Sequence, residues 1–491
     1  MGAGPNGLVA ANHLADAGWE VVVCEEQPEP GGAVRSGEVT APGFVHDLYS
    51  AFYPLALASP HLVRLELESY GLNWLSSRGV LAHPHPDGRC ALLSTDLEET
   101  CASLESFARG DGDAWRRLFD LWRRTGPRLM AALTTPMPPL RPAAGLLRQL
   151  GPRGLADFAR FALLPARRMA EEAFAGDGGG WLLAGNALHA DLTPDHPGGG
   201  LFGWVLCCLG QQHGYPVAEG GSGALTRALV ARLRDRGGEV VCGTPIERVE
   251  VRGRRATAAL AADGRRFEAR RAILADCGGP ALLLEMLPPE AVPERIRQSL
   301  RHFHYDSSTF KVNWALRAPI PWAAEEARRA STVHVAEGMG GLARAAVQLA
   351  DRTIPDRPFL VLGQYSMVDP SRAPRGAEAA WAYTHVPQQP ARDGAGELRG
   401  EWAGEDAGRF AERMELEVER LAPGFRDLIL ERRIQAPIDL QRSNRNLVGG
   451  AINGGTAQLY QQALFRPYPG LGRPTTPIRG LYLASASAHP G

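Results

Sequence analysis

The sequence predicts an α/β protein in which a discontinuous domain with a parallel sheet carries an inserted domain made of a mixed sheet and helices. Three observations predict this class. A glycine motif in residues 1–7 leads into a helix, a short apolar strand and an acid. A second glycine-rich turn, helix and strand begin near residue 216. The stretches between and after these units change to alternating strand patterns and amphipathic helices.

The first element is a G-x-G-x-x-G motif formed by Gly2, Gly4 and Gly7. A helical apolar pattern follows it, Gly18 breaks the helix, and a buried strand ends at Glu25. In a Rossmann-like domain such glycines let the backbone approach a pyrophosphate at a helix N-terminus, and the acid bonds a ribose hydroxyl. The residues predicted to contact a dinucleotide here are Gly2, Gly4, Pro5, Asn6, Gly7, Glu25 and Glu26.

A strand normally precedes this motif, and the sequence has none before Met1. Arginine dominates so strongly that Lys311 is the only lysine, and Ala, Gly and Pro are abundant, as in proteins of GC-rich genomes. In such genomes a valine codon also serves as a start. We therefore expect the protein to begin upstream, with Met1 at the position of the strand's last valine. The alternative is a chain that was cut.

The second element, residues 30–36, places a glycine pair and Arg35 just after the acid. Residues 2–36 as a whole resemble the opening of the phytoene desaturase-like FAD oxidoreductases, which are distant relatives of the amine oxidases and share the glutathione-reductase type of FAD fold. The resemblance implies FAD as the cofactor. It also implies FAD contacts at Gly31, Gly32, Ala33 and Arg35, the alternative for Arg35 being a solvated surface side chain.

Two later stretches resemble the same family. Residues 216–276 hold a glycine-rich turn, a helix, a strand, a hairpin through Asp263-Gly264 and a buried strand that ends at Asp276. The resemblance places an adenine-contacting backbone position on Ile246 or Val249. Residues 480–491 resemble the family motif G-L-Y-L-x-x-x-S-x-H-P-G-G-G, which implies a flavin contact at Ser485, and the sequence stops at the motif's first glycine.

These stretches predict the domain boundaries. The FAD-binding domain comprises residues 1–60, 215–285 and 440–491. The substrate-binding domain comprises residues 61–214 and 286–439, with a helical cap around residues 112–175, the alternative for these helices being plain scaffold. Prolines from Pro127 onward are predicted to break the helical pattern there.

One strand of the second domain carries a candidate catalytic residue. Residues 309–316 alternate in polarity and run to the sequence Pro319-Ile320-Pro321-Trp322. Amine oxidases have a lysine at the start of a similar strand, which reaches the flavin N5 through a water, and Lys311 is its counterpart by position. The alternative is a strand-edge lysine. Residues 43–54 resemble a segment that lies near the flavin ring in such oxidases, the alternative being a plain turn and strand.

Composition argues against several classes of protein, among them nucleic-acid-binding and membrane-spanning proteins. The chain has 491 residues, a formal net charge of −1 and 44% hydrophobic residues, which fits a globular protein without a basic field for nucleic acid. None of the seven cysteines forms a C-x-x-C pair, which predicts reduced thiols, a cytoplasmic location and no metal. No apolar run is long enough to span a bilayer, whereas peripheral membrane contact is left open.

The function predicted first is an FAD-dependent dehydrogenase or desaturase that transfers hydride from a largely apolar small molecule to flavin. A second dinucleotide motif and a redox cysteine pair are missing, so oxygen or a quinone is expected to reoxidise the flavin. One alternative is an amine oxidase-like flavoenzyme, favoured by Lys311. Another is a non-catalytic FAD-fold or partner-binding protein. The sequence predicts no catalytic base, no defined substrate and no oligomeric state.

Overall fold

The computed structural model describes residues 1–402, 404–470 and 472–490. Within them lie twenty strands. In chain order these are β1 (Val22–Cys24), β2 (Ser36–Glu38), β3 (Val45–Asp47), β4 (Trp74–Leu75), β5 (Gly79–Pro84), β6 (Cys90–Ser94), β7 (Val217–Ala218), β8 (Glu239–Val241), β9 (Ile246–Arg252), β10 (Arg255–Ala261), β11 (Arg266–Glu268), β12 (Ile273–Ala275), β13 (Ser308–Leu316), β14 (Ala330–Val335), β15 (Thr353–Ile354), β16 (Leu360–Gln364), β17 (Glu378–Val386), β18 (Arg392–Asp393), β19 (Ile429–Gln435) and β20 (Leu481–Leu483).

The same residues form fifteen α-helices. These are α1 (Pro5–Asp16), α2 (Pro54–Ala58), α3 (Pro60–Val63), α4 (Leu97–Glu105), α5 (Asp111–Leu133), α6 (Leu140–Leu163), α7 (Ala166–Ala173), α8 (Gly178–Leu188), α9 (Gly199–His213), α10 (Gly223–Asp235), α11 (Glu294–Arg301), α12 (Glu325–Arg329), α13 (Gly338–Ala350), α14 (Glu405–Leu421) and α15 (Pro437–Ser443). No helix in the described part of the chain has the length and hydropathy needed to cross a bilayer.

The first region is built on short parallel strands, with β1 paired to β8 and β12 paired to β20. The first residues of the chain join these two pairs. The Gly2 amide donates to the Cys24 carbonyl (2.7 Å), and the Asp276 amide donates to the Met1 carbonyl (2.8 Å). The residues that lead into the glycine motif therefore lie in the middle of the parallel sheet. The motif itself follows at the carboxyl end of the strands, where ligands bind in open α/β sheets.

Helices α1 and α10 pack together beside β1 and β8, with the side chains of Leu8 and Leu229 fully buried. The buried guanidinium of Arg232 on α10 pairs with Asp16 on α1 (3.0 Å) and donates to the Asn12 side chain (3.2 Å). Because these polar contacts satisfy a buried charge, α10 fixes the orientation of the helix that follows the glycine motif.

Strands β10 and β11 form the predicted hairpin through Asp263-Gly264, and β9 pairs antiparallel with the other edge of β10. Gly264 has φ +87° and donates its amide to the Ala261 carbonyl (3.0 Å), which confirms the predicted turn. A left-handed conformation here suits glycine because it has no Cβ.

A seven-stranded sheet in the order β19-β13-β17-β16-β14-β5-β6 dominates the second region, and only β14 and β5 pair in parallel. Strand side chains alternate between faces. One face is apolar: Phe310, Val312 and Trp314 of β13 pack in one buried cluster with α14. The other face bears the intervening residues of β13, among them Lys311 and Asn313, so the sheet separates a core from a polar layer.

Helices α5 to α9 form a further apolar cluster around Trp115, Trp122 and Trp204. This cluster contains the predicted helical cap. The predicted break at Pro127 is wrong, because α5 continues through it to Leu133. Pro127 is exposed, so the carbonyl that loses its helical partner can bond water.

The parallel strands come from all three segments of the predicted FAD-binding domain, and the seven-stranded sheet comes from both segments of the predicted substrate domain. The domain boundaries themselves stay a prediction.

Candidate cofactor and substrate site

The glycine motif lies in a space that admits no larger side chains. A Cβ added to Gly4 would lie 2.5 Å from the Asp276 Oδ2 atom, and one added to Gly7 would lie 2.4 Å from the Gly2 carbonyl oxygen. Helix α1 begins at Pro5, directly after Gly4. The three glycines therefore allow α1 to start against the end of β12.

The amides at this helix start form a donor set for an anion. Pro5 has no N–H, and the amides of Gly4 and Asn6 have no hydrogen-bond partner among the described residues. An α-helix N-terminus concentrates unpaired N–H groups and partial positive charge, which suits a phosphate. The residues here fit the diphosphate of FAD by their free amide donors at the start of a helix.

Asp276, which sequence reasoning did not select, is a second acid that contacts the glycine motif. Its Oδ2 accepts the Gly7 amide (3.0 Å), and burial raises the pKa of this carboxyl to about 6. The signal available in the sequence was its position, because it directly follows a buried strand and so lies at the ligand-binding edge of the sheet.

Glu25 and Glu26 lie at the end of β1. The buried carboxylate of Glu25 accepts the amides of Ala3 (2.7 Å) and Gln27 (2.9 Å), one on each oxygen. Each carboxylate oxygen has a second lone pair, so these bonds leave room for ribose hydroxyl groups. Glu26 pairs with Arg445 (3.0 Å). The ribose contact stays a prediction.

The adenine-side positions lie on β9, just after Thr244, whose amide donates to the Glu25 carbonyl (2.7 Å). Ile246 is half-buried, and its strand neighbour Val249 is buried. The Val249 amide is already bonded to the Met286 carbonyl (2.9 Å). Ile246 is therefore the better placed of the two predicted positions.

The glycine pair after the acid touches the first loop. A Cβ added to Gly32 would lie 3.0 Å from the Gly4 Cα atom, and Ala33 follows it in the same turn. Gly31 has φ +125° and donates its amide to the Ala3 carbonyl (2.8 Å). The two glycine loops thus form one continuous wall of backbone.

Arg35 is a bridging residue. Its guanidinium donates to the Gly32 carbonyl (3.1 Å), the Tyr49 hydroxyl (2.8 Å) and the Ser443 carbonyl (3.1 Å). These contacts tie three distant segments together, which a solvated surface arginine would not do. Contact with FAD itself stays a prediction.

The C-terminal motif closes the same region. The Ser485 hydroxyl donates to the Cys277 carbonyl (2.6 Å), and the Ser487 hydroxyl donates to the Gly454 carbonyl (2.7 Å). The motif's first glycine, Gly491, lies outside the described residues. Ser485 therefore lies beside the residue that follows Asp276.

Lys311 is buried on β13, the second strand of the large sheet, between β19 and β17. Its ammonium group donates to the backbone carbonyls of Asp47 and Tyr49 (3.4 Å to Tyr49) and lies 5.4 Å from the Trp381 ring centroid. Burial lowers the pKa of this amine to about 7. Lys311 thus joins the large sheet to residues 43–54, the segment predicted to lie near the flavin.

We define the polar face of the large sheet by nine side chains that the strand registers place together: His83, Thr309, Lys311, Asn313, Thr332, His334, Trp381, Tyr383 and His385. Seven of them, all except Lys311 and Tyr383, carry a buried nitrogen or oxygen without a hydrogen-bond partner in the described part of the protein. Leaving such a group unpaired costs about 1–3 kcal/mol. The polar face is therefore where water or a ligand would complete the hydrogen bonding.

Asp306, which lies just before β13, has a carboxylate with one free oxygen. Its Oδ2 accepts the amides of Ile452 (2.9 Å) and Asn453 (3.1 Å), whereas its buried Oδ1 has no partner among the described residues. Burial, and next the charge of Asp191, raise the pKa of Asp306 to about 6. Asp191 accepts the Ser307 amide (2.9 Å). Sequence reasoning missed this residue because nothing in its local pattern marks it.

Histidines crowd the part of the polar face beneath α8. The Nε2 atoms of His189 and His334 are 2.8 Å apart, and a Cβ added to Gly185 would lie 2.2 Å from His334. Burial lowers the pKa of His189 and of His83 to about 3. His189 is therefore a neutral, hydrogen-bonded interior residue. Among the described residues, no group of three His, Cys, Asp or Glu has the geometry of a metal site.

Comparison with known proteins gives one family match. The model of the family described as flavin-containing amine oxidoreductase matches residues 6–379. A curated relative, pyridine nucleotide-disulfide oxidoreductase domain-containing protein 2 of Rattus norvegicus, is 28% identical over all of this chain and 90% of its own length. Hydroxyneurosporene desaturase of Cereibacter sphaeroides is 31% identical over 60% of this chain and 59% of its own length.

Among solved structures, wild-type putrescine oxidase bound to putrescine matches with a TM-score of 0.60 at 14% identity, covering 99% of this chain and 92% of that one. At this identity the match concerns the fold alone. It extends the similarity through residues 380–490, beyond the part that the family model covers.

Proposed function

The chain belongs to the family of flavin-containing amine oxidoreductases, and we propose from that premise that it oxidises a largely apolar small molecule by removing a hydride and a proton from it. It is an FAD-dependent oxidoreductase of the dehydrogenase or desaturase type, as the sequence predicted. The substrate, the proton acceptor and the individual cofactor contacts are the proposed parts.

The observation that carries the proposal is the free oxygen of Asp306. Desaturation of a C–C bond releases two electrons and two hydrogen nuclei, one as hydride and one as a proton, and the proton needs a base. Asp306 Oδ1 is buried and unpaired, and Oδ2 is held by two backbone amides, so the carboxylate has a fixed orientation. A base is most effective when its pKa lies near the working pH, and the pKa of about 6 meets this condition.

The cofactor would be held by the glycine motif, Glu25, residues 31–35 and Ser485. Bound FAD supplies the hydride acceptor, which the side chains of this protein cannot provide. Asp306 takes the proton at Oδ1. The amides of Ile452 and Asn453 hold the Asp306 carboxylate. The next residue, Gly454, accepts a hydrogen bond at its carbonyl from the Ser487 hydroxyl, so this loop is anchored to the C-terminal motif. This linkage supports a position of Asp306 beside the reacting carbon.

Lys311 would steady negative charge near the flavin. Its ammonium is fixed by two backbone carbonyls and one aromatic ring. A preorganised cation in a buried site acts strongly on developing charge because little solvent screens it. The desaturases among the curated relatives support a lipophilic substrate. The seven cysteines of this chain are all free, and oxygen or a quinone is the acceptor we favour.

A second candidate, an amine oxidase, is favoured by the aromatic side chains around Lys311. The rings of Trp381 and Tyr383 are stacked with centroids 6.1 Å apart, and Phe52 lies 5.7 Å from Trp381. Aromatic faces attract organic cations such as protonated amines. The two candidates differ in the proton that leaves the substrate. Desaturation takes it from a carbon atom and needs Asp306, whereas a protonated amine loses it from nitrogen, where water can accept it.

The experiment is an anaerobic reduction assay. Protein reconstituted with FAD is mixed with detergent-solubilised polyenes or with aliphatic amines, and loss of the oxidised flavin absorbance is followed. We expect reduction by a polyene and not by an amine. Reduction by amines alone would move the assignment to the second candidate, and failure of the protein to retain FAD would overturn both.

A further inference from the structure

The hairpin of α5 and α6 has a charge unlike the rest of the molecule. The hairpin, residues 111–163, contains nine arginines, four aspartates and no glutamate, whereas the whole chain has a net charge of −1. The net charge of the whole chain predicts no basic surface, because acidic residues elsewhere in the chain offset the positive charge of the hairpin. The distribution of charge decides which partners a surface attracts.

Many of these arginines are free. Six of them are exposed and have no carboxylate within 4 Å among the described residues: Arg117, Arg124, Arg128, Arg141, Arg148 and Arg153. The four aspartates of the hairpin do not balance its nine arginines, and two of them, Asp113 and Asp120, already lie beside Arg116 (3.8 Å) and Arg123 (3.5 Å). The surface of the hairpin is therefore positively charged and can attract a negatively charged partner.

Exposed leucines lie among these arginines. Leu140 is 71% exposed and Leu147 is 43% exposed, on a helix whose 3.6-residue period places them on one face with Ala143 and Ala144. Leu133, at the end of α5, is 41% exposed. Arg141 and Arg148 each follow one of the α6 leucines and lie about 100° further around the helix. The face is an apolar stripe bordered by cations.

A second exposed segment extends this stripe. The Met137 amide, in the turn between α5 and α6, donates to the Gly472 carbonyl (2.8 Å), and a Cβ added to Gly472 would lie 2.9 Å from the Ala463 carbonyl oxygen. Leu464 and Phe465, next to Ala463, are 43% and 46% exposed. Exposed apolar side chains from a second part of the chain thus lie near the turn of the hairpin.

We propose that this surface, formed by the α5–α6 hairpin and residues 463–465, docks the protein onto anionic lipid bilayers. An apolar stripe flanked by arginines matches the boundary between acyl chains and negatively charged headgroups. Nucleic acid would pair with the arginines and leave the leucines in water. A second copy would bring two positive surfaces together, since a twofold contact pairs a patch with itself.

The test is co-sedimentation of the FAD-loaded protein with vesicles. Vesicles of one part phosphatidylglycerol to three parts phosphatidylcholine should bind the protein, and pure phosphatidylcholine vesicles should bind it much more weakly. R141Q/R148Q/R153Q should weaken binding about 100-fold, since each basic residue near such a surface contributes a factor of about five. L140D/L147D should abolish binding at any salt concentration.

The matched control is R64Q/R295Q/R375Q, which removes three exposed and unpaired arginines elsewhere in the described part of the chain. It should bind the anionic vesicles like the wild type, and circular dichroism should show all variants folded. Equal weakening by the control would overturn the proposal. So would L140D/L147D binding unchanged, tighter binding of duplex DNA than of vesicles, or self-association in size-exclusion chromatography that L140D/L147D removes.

Discussion

The carboxylate of Asp47 and the guanidinium of Arg372 form an ion pair (3.2 Å) in which both side chains are 0% exposed. Arg372 also pairs with Asp369 (2.9 Å), and Asp47 also accepts the Ser222 amide (2.7 Å) at the start of α10. The Asp47 carbonyl in turn accepts from Lys311. This single pair therefore links the region of the glycine motif to the large sheet.

Removing one partner of this pair should destabilise the protein. R372M leaves the buried carboxylates of Asp47 and Asp369 without the guanidinium that pairs with both, which should lower the free energy of unfolding by about 3–5 kcal/mol. Chemical denaturation at neutral pH measures this change in the free energy of unfolding. R375M, which truncates an exposed neighbouring arginine, should change it by less than about 0.5 kcal/mol. An R372M protein as stable as R375M would contradict the assignment.

Lys311 should make stability depend on pH in the alkaline range. Its folded-state pKa of about 7 lies below its ordinary value of 10.5, so between these values the unfolded chain binds more protons than the folded chain. Stability from this group therefore rises from about pH 7 to pH 10.5. K311M should be more stable than the wild type at pH 6 and should lack this rise. Its flavin reduction should also slow by about 10²-fold.

Replacing Asp306 should raise the stability of the protein and lower its activity. Its pKa is raised from 3.8 to about 6, so between these values the folded chain binds more protons, and this group's contribution to stability falls as pH rises through that range. D306N should therefore be the more stable protein at pH 8, while its flavin reduction falls by about 10²–10⁴-fold. The wild-type reduction rate should rise through about pH 6, and D306N should lose that rise. D427N, at an exposed aspartate, serves as the control.

Asp276 should make FAD binding favour acidic conditions. The diphosphate of FAD repels an ionised carboxylate, so binding should raise the carboxyl's pKa further above its value of about 6 and take up a proton. The affinity for FAD should then fall by up to about tenfold per pH unit above pH 6. Fluorescence titration of the apoprotein with FAD measures this. D276N should bind with an affinity that does not change across this range.

The packing of Gly4 predicts that even a methyl group excludes the cofactor. In G4A the Cβ would lie 2.5 Å from Asp276 Oδ2, which displaces either α1 or that carboxylate. We expect a folded protein that retains no flavin after gel filtration. The control is G408A, on α14, where the added Cβ meets nothing within 4 Å and should stabilise the helix by about 0.5–1 kcal/mol. Full flavin content in G4A would contradict this account of the motif.

The local elements followed from the sequence because their causes are local. The glycine spacing and the apolar run before Glu25 specify a turn, a helix and a strand, whatever the rest of the chain does. The same holds for the Asp263-Gly264 hairpin and for the alternation around Lys311, because turn chemistry and side-chain period act over a few residues. The family resemblance of these stretches also predicted FAD as the cofactor.

The acids of the candidate site could not be found in this way. Asp276 contacts Gly7 across 269 positions, and Asp47 contacts Arg372 across 325. The pKa of Asp306 depends on burial and on Asp191, neither of which its neighbours in sequence reveal. The sequence by itself therefore determined the kinds of elements and the cofactor. Only the tertiary structure decided which carboxylates lose water and which stay free, because desolvation and pairing depend on segments that folding brings together.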